Sequence, residues 1–258
     1  MARGGVDEVQ MKARVRKRMI LLGPGAVAAV VAALLLTPLG RYAGWAWSRV
    51  AGGATVAERV EQYGPAARRR WGPHFERAGV GYPPAEVVLV GIKDRKVLEV
   101  WARDAEADGF ALVRTCPILA ASGHPGPKLR EGDRQVPEGL YEIESLHPNS
   151  MFHLALRVNY PNRFDRRMAG RDGRSDLGGD IMIHGSDASV GCLAMGDETA
   201  EDLFILVADT GLERTRLILT PVDFRESDLP SDLPVPPAWA DELYADIRIA
   251  LGRIRPRE

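Results

Sequence analysis

Cysteine is scarce in this chain, and so is net charge. Two cysteines, Cys116 and Cys192, stand among 258 residues. Two thiols cannot build a disulfide framework. They are far apart and form no Cys-x-x-Cys pair, which excludes a dithiol redox protein. No bridge between them is expected, because Cys116 closes the run Phe-Ala-Leu-Val-Arg-Thr-Cys-Pro and reads as the end of a buried strand. The formal net charge of −1 gives no basic field, so nucleic acid is not an expected partner. Internal repeats and low-complexity tracts are also absent. Zinc-like ligand spacing is missing: only His184 and Cys192 fall together, with Asp180 and Asp187 remote, so neither metal nor cofactor is expected. Glycine and proline, by contrast, are plentiful, at 27 and 18 residues. They favour many short strands over long helices.

The ends of the chain differ from its middle. Residues 1–18 form a basic tail, and residues 19–40 carry no charge over 22 positions. About 20 apolar residues span a bilayer core. Basic residues before the span keep that end in the cytoplasm. Residues 19–40 are therefore read as an uncleaved inner-membrane anchor, with the rest of the chain in the periplasm. The alternative is a cleaved signal segment and secretion to the periplasm. Residues 41–84 read as a helical juxtamembrane spacer, with helices over 57–63 and 65–77 split at Gly64-Pro65. Residues 85–221 read as one strand-rich domain. Residues 222–258 form an extension ending in a short helix over 239–251.

Within the central region, β-branched runs predict strands at 86–92 and 97–103, joined by a tight turn. Further strands are predicted at 110–116, 139–146, 151–158 and 215–220. A long loop covers 159–180, rich in Arg, Asp and Gly. One helix, 197–209, follows Cys192, with Asp197 as its cap.

The stretch from Gly178 to Met195 organises the chain. Ile181-Met182-Ile183 delivers His184 to a Gly-rich loop that ends at Cys192. A thiol at the end of a turn, with an imidazole near it, is the pattern of an activated nucleophile. A nearby imidazolium would hold the sulfur as the reactive thiolate. The competing reading is a small buried Cys and a His that closes a turn. The N–H groups of Gly191 and Cys192 are placed to bind a developing oxyanion. Ser189 holds the loop, orients His184 or caps the turn.

These residues resemble the L,D-transpeptidase catalytic domain of the YkuD type. The resemblance rests on His184-Gly185, on Ser189-Val190-Gly191-Cys192, and on Lys128 to Tyr141 with its Pro137-Glu138-Gly139-Leu140-Tyr141 segment. Phe152-His153-Leu154, Asn159-Tyr160-Pro161-Asn162 and Phe164-Asp165 are similar to the YafK-like murein peptide amidase branch. Three departures from the broader pattern stand out. The His-to-Cys spacing is short, Val190 replaces a His, and Ala194 replaces an Arg that could grip a carboxylate. The resemblance implies a mainly β fold, a curved sandwich or barrel, with one packed helix after the nucleophile. It implies Cys192 as nucleophile, His184 as base, and acyl transfer through a thioester. The implied partners are peptidoglycan stem peptides and a wall-attached lipoprotein, with transpeptidation or hydrolysis of a diaminopimelate-linked amide as the reaction. Asn159, Tyr160 and Arg163 would line the substrate groove. The alternative is a catalytically silent peptidoglycan-binding module of the same fold.

Overall fold

A computed structural model describes residues 53–231 and 236–254. The expected anchor or signal segment, 19–40, lies outside the described residues. Among the described residues no helix is long and apolar enough to cross a membrane.

The apolar runs form a hairpin, β1 (Glu86–Ile92) and β2 (Val97–Arg103), in antiparallel register. Six of the seven β1 side chains are buried, so both faces of this strand are covered. Val87 and Leu89 pack into one core, with Trp71 and Phe75 of helix α1 (Val56–Ala78). Val88 and Val90 pack into a second, with Leu243 and Ile247 of a C-terminal helix, Ala240–Arg253. A strand buried on both faces reads as a continuous apolar run rather than an alternating one.

Helix α1 is one element where two were expected. Its start is a capping box between Thr55 and Glu58, and Gly79 ends it in the left-handed conformation. Pro65 and Pro73 lie inside it. An interior proline costs a helix about 3 kcal/mol. Burying two large aromatic side chains contributes about 1.5–3 kcal/mol each, enough to offset one break. The Trp71 indole also donates to the Asp202 carbonyl at 2.8 Å.

Strand β3 (Ala111–Pro117) flanks β2, and β4 is the long strand Gly139–Ser150. The first half of β4 pairs with β8 (Thr215–Thr220), and β8 runs parallel to β1. The second half of β4 pairs with β5 (His153–Val158). Beyond β5 come β6 (Met182–His184) and β7 (Leu193–Ala194). The sheet order is β3-β2-β1-β8-β4-β5-β6-β7.

The expected sandwich or barrel takes a specific form. The described strands form one eight-stranded mixed sheet rather than two stacked ones. Its two edges nevertheless meet, because Ala120, just beyond β3, bridges Ala194 of β7. The Ala194 N–H donates to Ala120 at 2.9 Å, and the Leu119 N–H donates to Ala194 at 2.8 Å. The sheet therefore curves until it closes at one point, two residues beyond Cys192.

The predicted long loop holds helix α2 (Arg163–Arg171), which sequence reading missed. Asn162 and Asp165 form its capping box. Helix α3 (Asp197–Thr210) packs Leu203, Phe204, Leu206 and Val207 into the first core. Its N-cap is Gly196 rather than Asp197, whose carboxylate is used elsewhere.

Candidate active site

Strand register assembles the site. Ile183 pairs with Leu193, and His184 with Ala194, on parallel neighbours. Ile183 and Leu193 point into the core. The two-residue period puts His184 and Ala194 on the opposite face, and Cys192 immediately precedes β7. Across β5, Ala155 pairs with His184 and Arg157 with Met182. Across β4, His147 pairs with Ala155 and Ser145 with Arg157. His147 and Arg157 therefore share the face that carries the imidazole.

His184 is 2% exposed and stacks on Phe152, with ring centroids 4.7 Å apart. Its Nδ1 lies 2.6 Å from the Gly185 carbonyl oxygen. A carbonyl only accepts, so Nδ1 carries the proton and Nε2 keeps a lone pair. Burial lowers the imidazole pKa, partly opposed by that carbonyl. Cys192 is half-buried, and its Sγ donates to the Asp180 carbonyl at 3.5 Å. Burial raises the thiol pKa; a backbone contact at Met182 and the charge of Lys128 oppose the shift, while Asp180 adds to it.

Both shifts favour neutral groups. The low-dielectric setting penalises a thiolate and an imidazolium alike, and each side chain bonds a backbone carbonyl.

The turn after His184 is sterically set. A Cβ on Gly185 would lie 2.5 Å from Asp197 Oδ1 and 2.7 Å from the Phe152 carbonyl oxygen. The same Oδ1 accepts from the Ser186 N–H at 2.7 Å, and Ser186 sits at φ 68°. The Met195 N–H donates to the His184 carbonyl at 2.8 Å. Asp197 thereby fixes the turn that carries the imidazole.

The thiol loop is held by two hydroxyls. Ser189 Oγ accepts from the Cys192 N–H at 3.1 Å, and Ser122 Oγ accepts from the Gly191 N–H at 2.7 Å. Ser122 in turn donates to the Arg134 carbonyl at 2.7 Å. Ser189 thus holds the thiol loop and caps its turn. Both N–H groups expected to meet an oxyanion are engaged by serine oxygens.

A family model for the L,D-transpeptidase catalytic domain, YkuD, matches residues 85–222. This chain belongs to that family. YafK of Escherichia coli (strain K12) is 32% identical over 117 residues, 45% of this chain and 44% of that protein. The chain thus matches less than half the length of that relative. Among solved structures, the helical cell shape determining protein Pgp2 of Campylobacter jejuni is similar at 23% identity and a TM-score of 0.44. That match covers 54% of this chain and 48% of the other. L,D-transpeptidase 1 of Mycobacterium tuberculosis gives 18% identity and a TM-score of 0.30, over 52% and 61% of the two chains.

Within this L,D-transpeptidase-family domain, two of the residues expected to line the groove, Asn159 and Tyr160, bond neighbouring parts of the fold. Asn159 Oδ1 accepts from the Glu142 N–H at 2.9 Å, and the Asn159 N–H returns a bond to the Glu142 carbonyl. Tyr160 is buried, edge-on to Tyr141, and its hydroxyl donates to the Leu177 carbonyl at 3.2 Å. Arg163 is exposed at the first position of α2. Among the described residues no three His, Cys, Asp or Glu side chains gather as a metal site. The residue that sequence reading passed over is Arg157, which only the odd positions of the 153–158 alternation hinted at; Asp180 figures in the sequence only as a remote candidate ligand, and His147 as one of several scattered histidines.

Proposed function

We propose that this chain is a cysteine acyl-transfer enzyme acting on peptidoglycan stem peptides. The observation that carries the reading is the Nε2 lone pair of His184, left by the Nδ1 bond to Gly185, on the strand that pairs with the one Cys192 precedes. Nε2 takes the thiol proton as the sulfur bonds the carbonyl carbon of an amide. Deprotonation during attack suits a pair whose resting forms are both neutral. When the C–N bond breaks, the imidazolium gives its proton to the departing amine. Water, or a second amine, then opens the thioester; the first outcome is hydrolysis and the second transpeptidation. For the N–H groups of Gly191 and Cys192 to serve the oxyanion, the hydroxyls of Ser122 and Ser189 must swing aside.

The domain's setting belongs to the same proposal. Residues 19–40 anchor the chain in the inner membrane and hold the catalytic domain in the periplasm, where stem peptides and a wall-attached lipoprotein are within reach.

Intact-protein mass spectrometry tests the chemistry. With a stem-peptide donor, the wild-type chain gains the acyl mass and Cys192→Ala does not. New cross-links among the products indicate transfer, and loss of a lysine peptide indicates hydrolysis. A wild-type chain that never gains mass and never changes its substrate makes the silent-module reading the correct one.

A further inference from the structure

Helix α1 lies outside residues 85–222, the span matched by the family model, yet its first turn grips a hairpin of that domain. The hairpin joins β4 to β5, and Ser150 pairs with His153 across it. The register shifts between His147 and Ser150, so Pro148 and Asn149 stand outside the regular ladder. A proline has no N–H, and a break in the ladder leaves backbone groups that need other partners. Helix α1 supplies them. Arg59 Nε donates to the Pro148 carbonyl at 3.0 Å. Asn149 Nδ2 donates to the Ala54 carbonyl at 2.7 Å, one residue before the Thr55 cap.

The same hairpin meets the histidine. Phe152 stacks on the His184 ring, its N–H donates to Ser150 Oγ at 3.0 Å, and its carbonyl oxygen abuts Gly185. His153 holds φ 72°, bonds Glu201 at 3.0 Å and lies edge-on to Tyr63 of α1. That backbone region is uncommon for a residue other than glycine, and it persists where surrounding contacts fix it. The hairpin therefore reaches α1 through residues 148, 149 and 153, and the imidazole through residue 152. The carboxylates around it are committed: Glu201 to His153 and Arg70, and Asp197 to the Ser186 N–H. Burial is the first cause of the lowered His184 pKa, so the ring reports how well Phe152 covers it.

We propose that Arg59 and Asn149 are positioning residues, which fix the β4–β5 hairpin so that Phe152 holds the His184 ring in place for Cys192. A segment outside the family domain thereby completes the site. The role of His184 as base rests on the acyl-transfer reading, but the coupling from α1 to the ring is measured without turnover.

Histidine ring NMR shifts of the full chain in detergent are followed against pH, with His184→Gln to assign the signal. Arg59→Ala and Asn149→Ala each raise the His184 pKa, in the direction expected of Phe152→Ala and by less. Arg68→Ala is the control. Arg68 ties α1 to Asp209 by two bonds, away from the hairpin, and its loss leaves the His184 pKa where it was. In a Phe152→Ala background, Arg59→Ala adds nothing, because both act through one contact. A His184 pKa unmoved by Arg59→Ala and Asn149→Ala overturns the proposal, and so does an equal shift from Arg68→Ala. If Arg59→Ala does not fold, Asn149→Ala decides alone. On stem peptides, Arg59→Ala lowers kcat by about ten-fold at unchanged KM, short of the roughly 100-fold that a 1 Å misplacement can cost. Arg59→Lys keeps one donor for the Pro148 carbonyl and recovers part of that loss. An unchanged kcat in an active chain overturns the proposal. A chain inert to every stem peptide, but whose His184 pKa still moves, sinks the acyl-transfer reading and leaves the coupling standing.

Discussion

Gly185 and Asp197 occupy almost the same space: a Cβ on the glycine would sit 2.5 Å from Oδ1 of the aspartate. That oxygen also accepts from the Ser186 N–H. Gly185→Ala is therefore expected to destabilise the domain by about 1–3 kcal/mol, the range for overpacking. Denaturant unfolding measures it. The double variant Gly185→Ala, Asp197→Ala recovers only part, because the Phe152 carbonyl oxygen, at 2.7 Å from the same Cβ, cannot be removed. An unchanged midpoint in the single variant would contradict the contact.

Cys192 should titrate as a buried thiol. Burial favours the uncharged form and raises its pKa, so the thiolate fraction, and with it the iodoacetamide rate, climbs with pH. The rate is expected to follow one midpoint above the ordinary thiol value of about 8.5. A preformed thiolate–imidazolium pair would instead give a plateau of reactivity below neutrality. Such a plateau would show that the neutral resting pair is wrong.

Phe152 walls off the His184 ring. Burial is the leading cause of the depressed imidazole pKa. Phe152→Ala opens that wall and should raise the His184 pKa toward the ordinary value of about 6.5. Histidine ring NMR shifts followed against pH report the change. No movement would mean that other groups set the shift.

Asp165 provides a stability signature away from the thiol. Burial lifts its carboxyl to about 6, against weaker opposing bonds from Asn162 and Tyr141. The folded state then binds a proton that the unfolded state releases between about pH 4 and 6. Stability from this group is present below that window and is lost as pH rises through it. Asp165→Asn keeps an acceptor for the Asn162 N–H but cannot ionise. The melting temperature of wild type relative to the variant should be higher at pH 5 than at pH 7. A pH-independent difference would refute the buried carboxyl.

The pattern of agreement with the sequence follows from the range of each interaction. Strands β1 and β2 lie where their β-branched runs placed them, and so does their turn, because those signals are local. Helix α1 ran through Gly64-Pro65 because Trp71 and Phe75 found a core that the local pattern does not contain. Helix α2 was legible in principle, since Asn162 and Asp165 are spaced as a capping box. Its Arg- and Gly-rich composition and lack of an apolar stripe hid it.

The sequence alone determined the chemical types at the centre: a glycine-flanked thiol, an imidazole on a short apolar strand, and the family motifs around them. The tertiary structure decided how they are used. Pairing of β6 with β7, and closure of the sheet at Ala120 and Ala194, joined segments distant in the chain and set the thiol loop beside the strand that ends in His184. Burial shifted both groups toward their neutral forms, and the β5 register brought Arg157 to the face of His184. Pairing across strands, and the desolvation that follows from packing, depend on contacts that no local run of residues encodes.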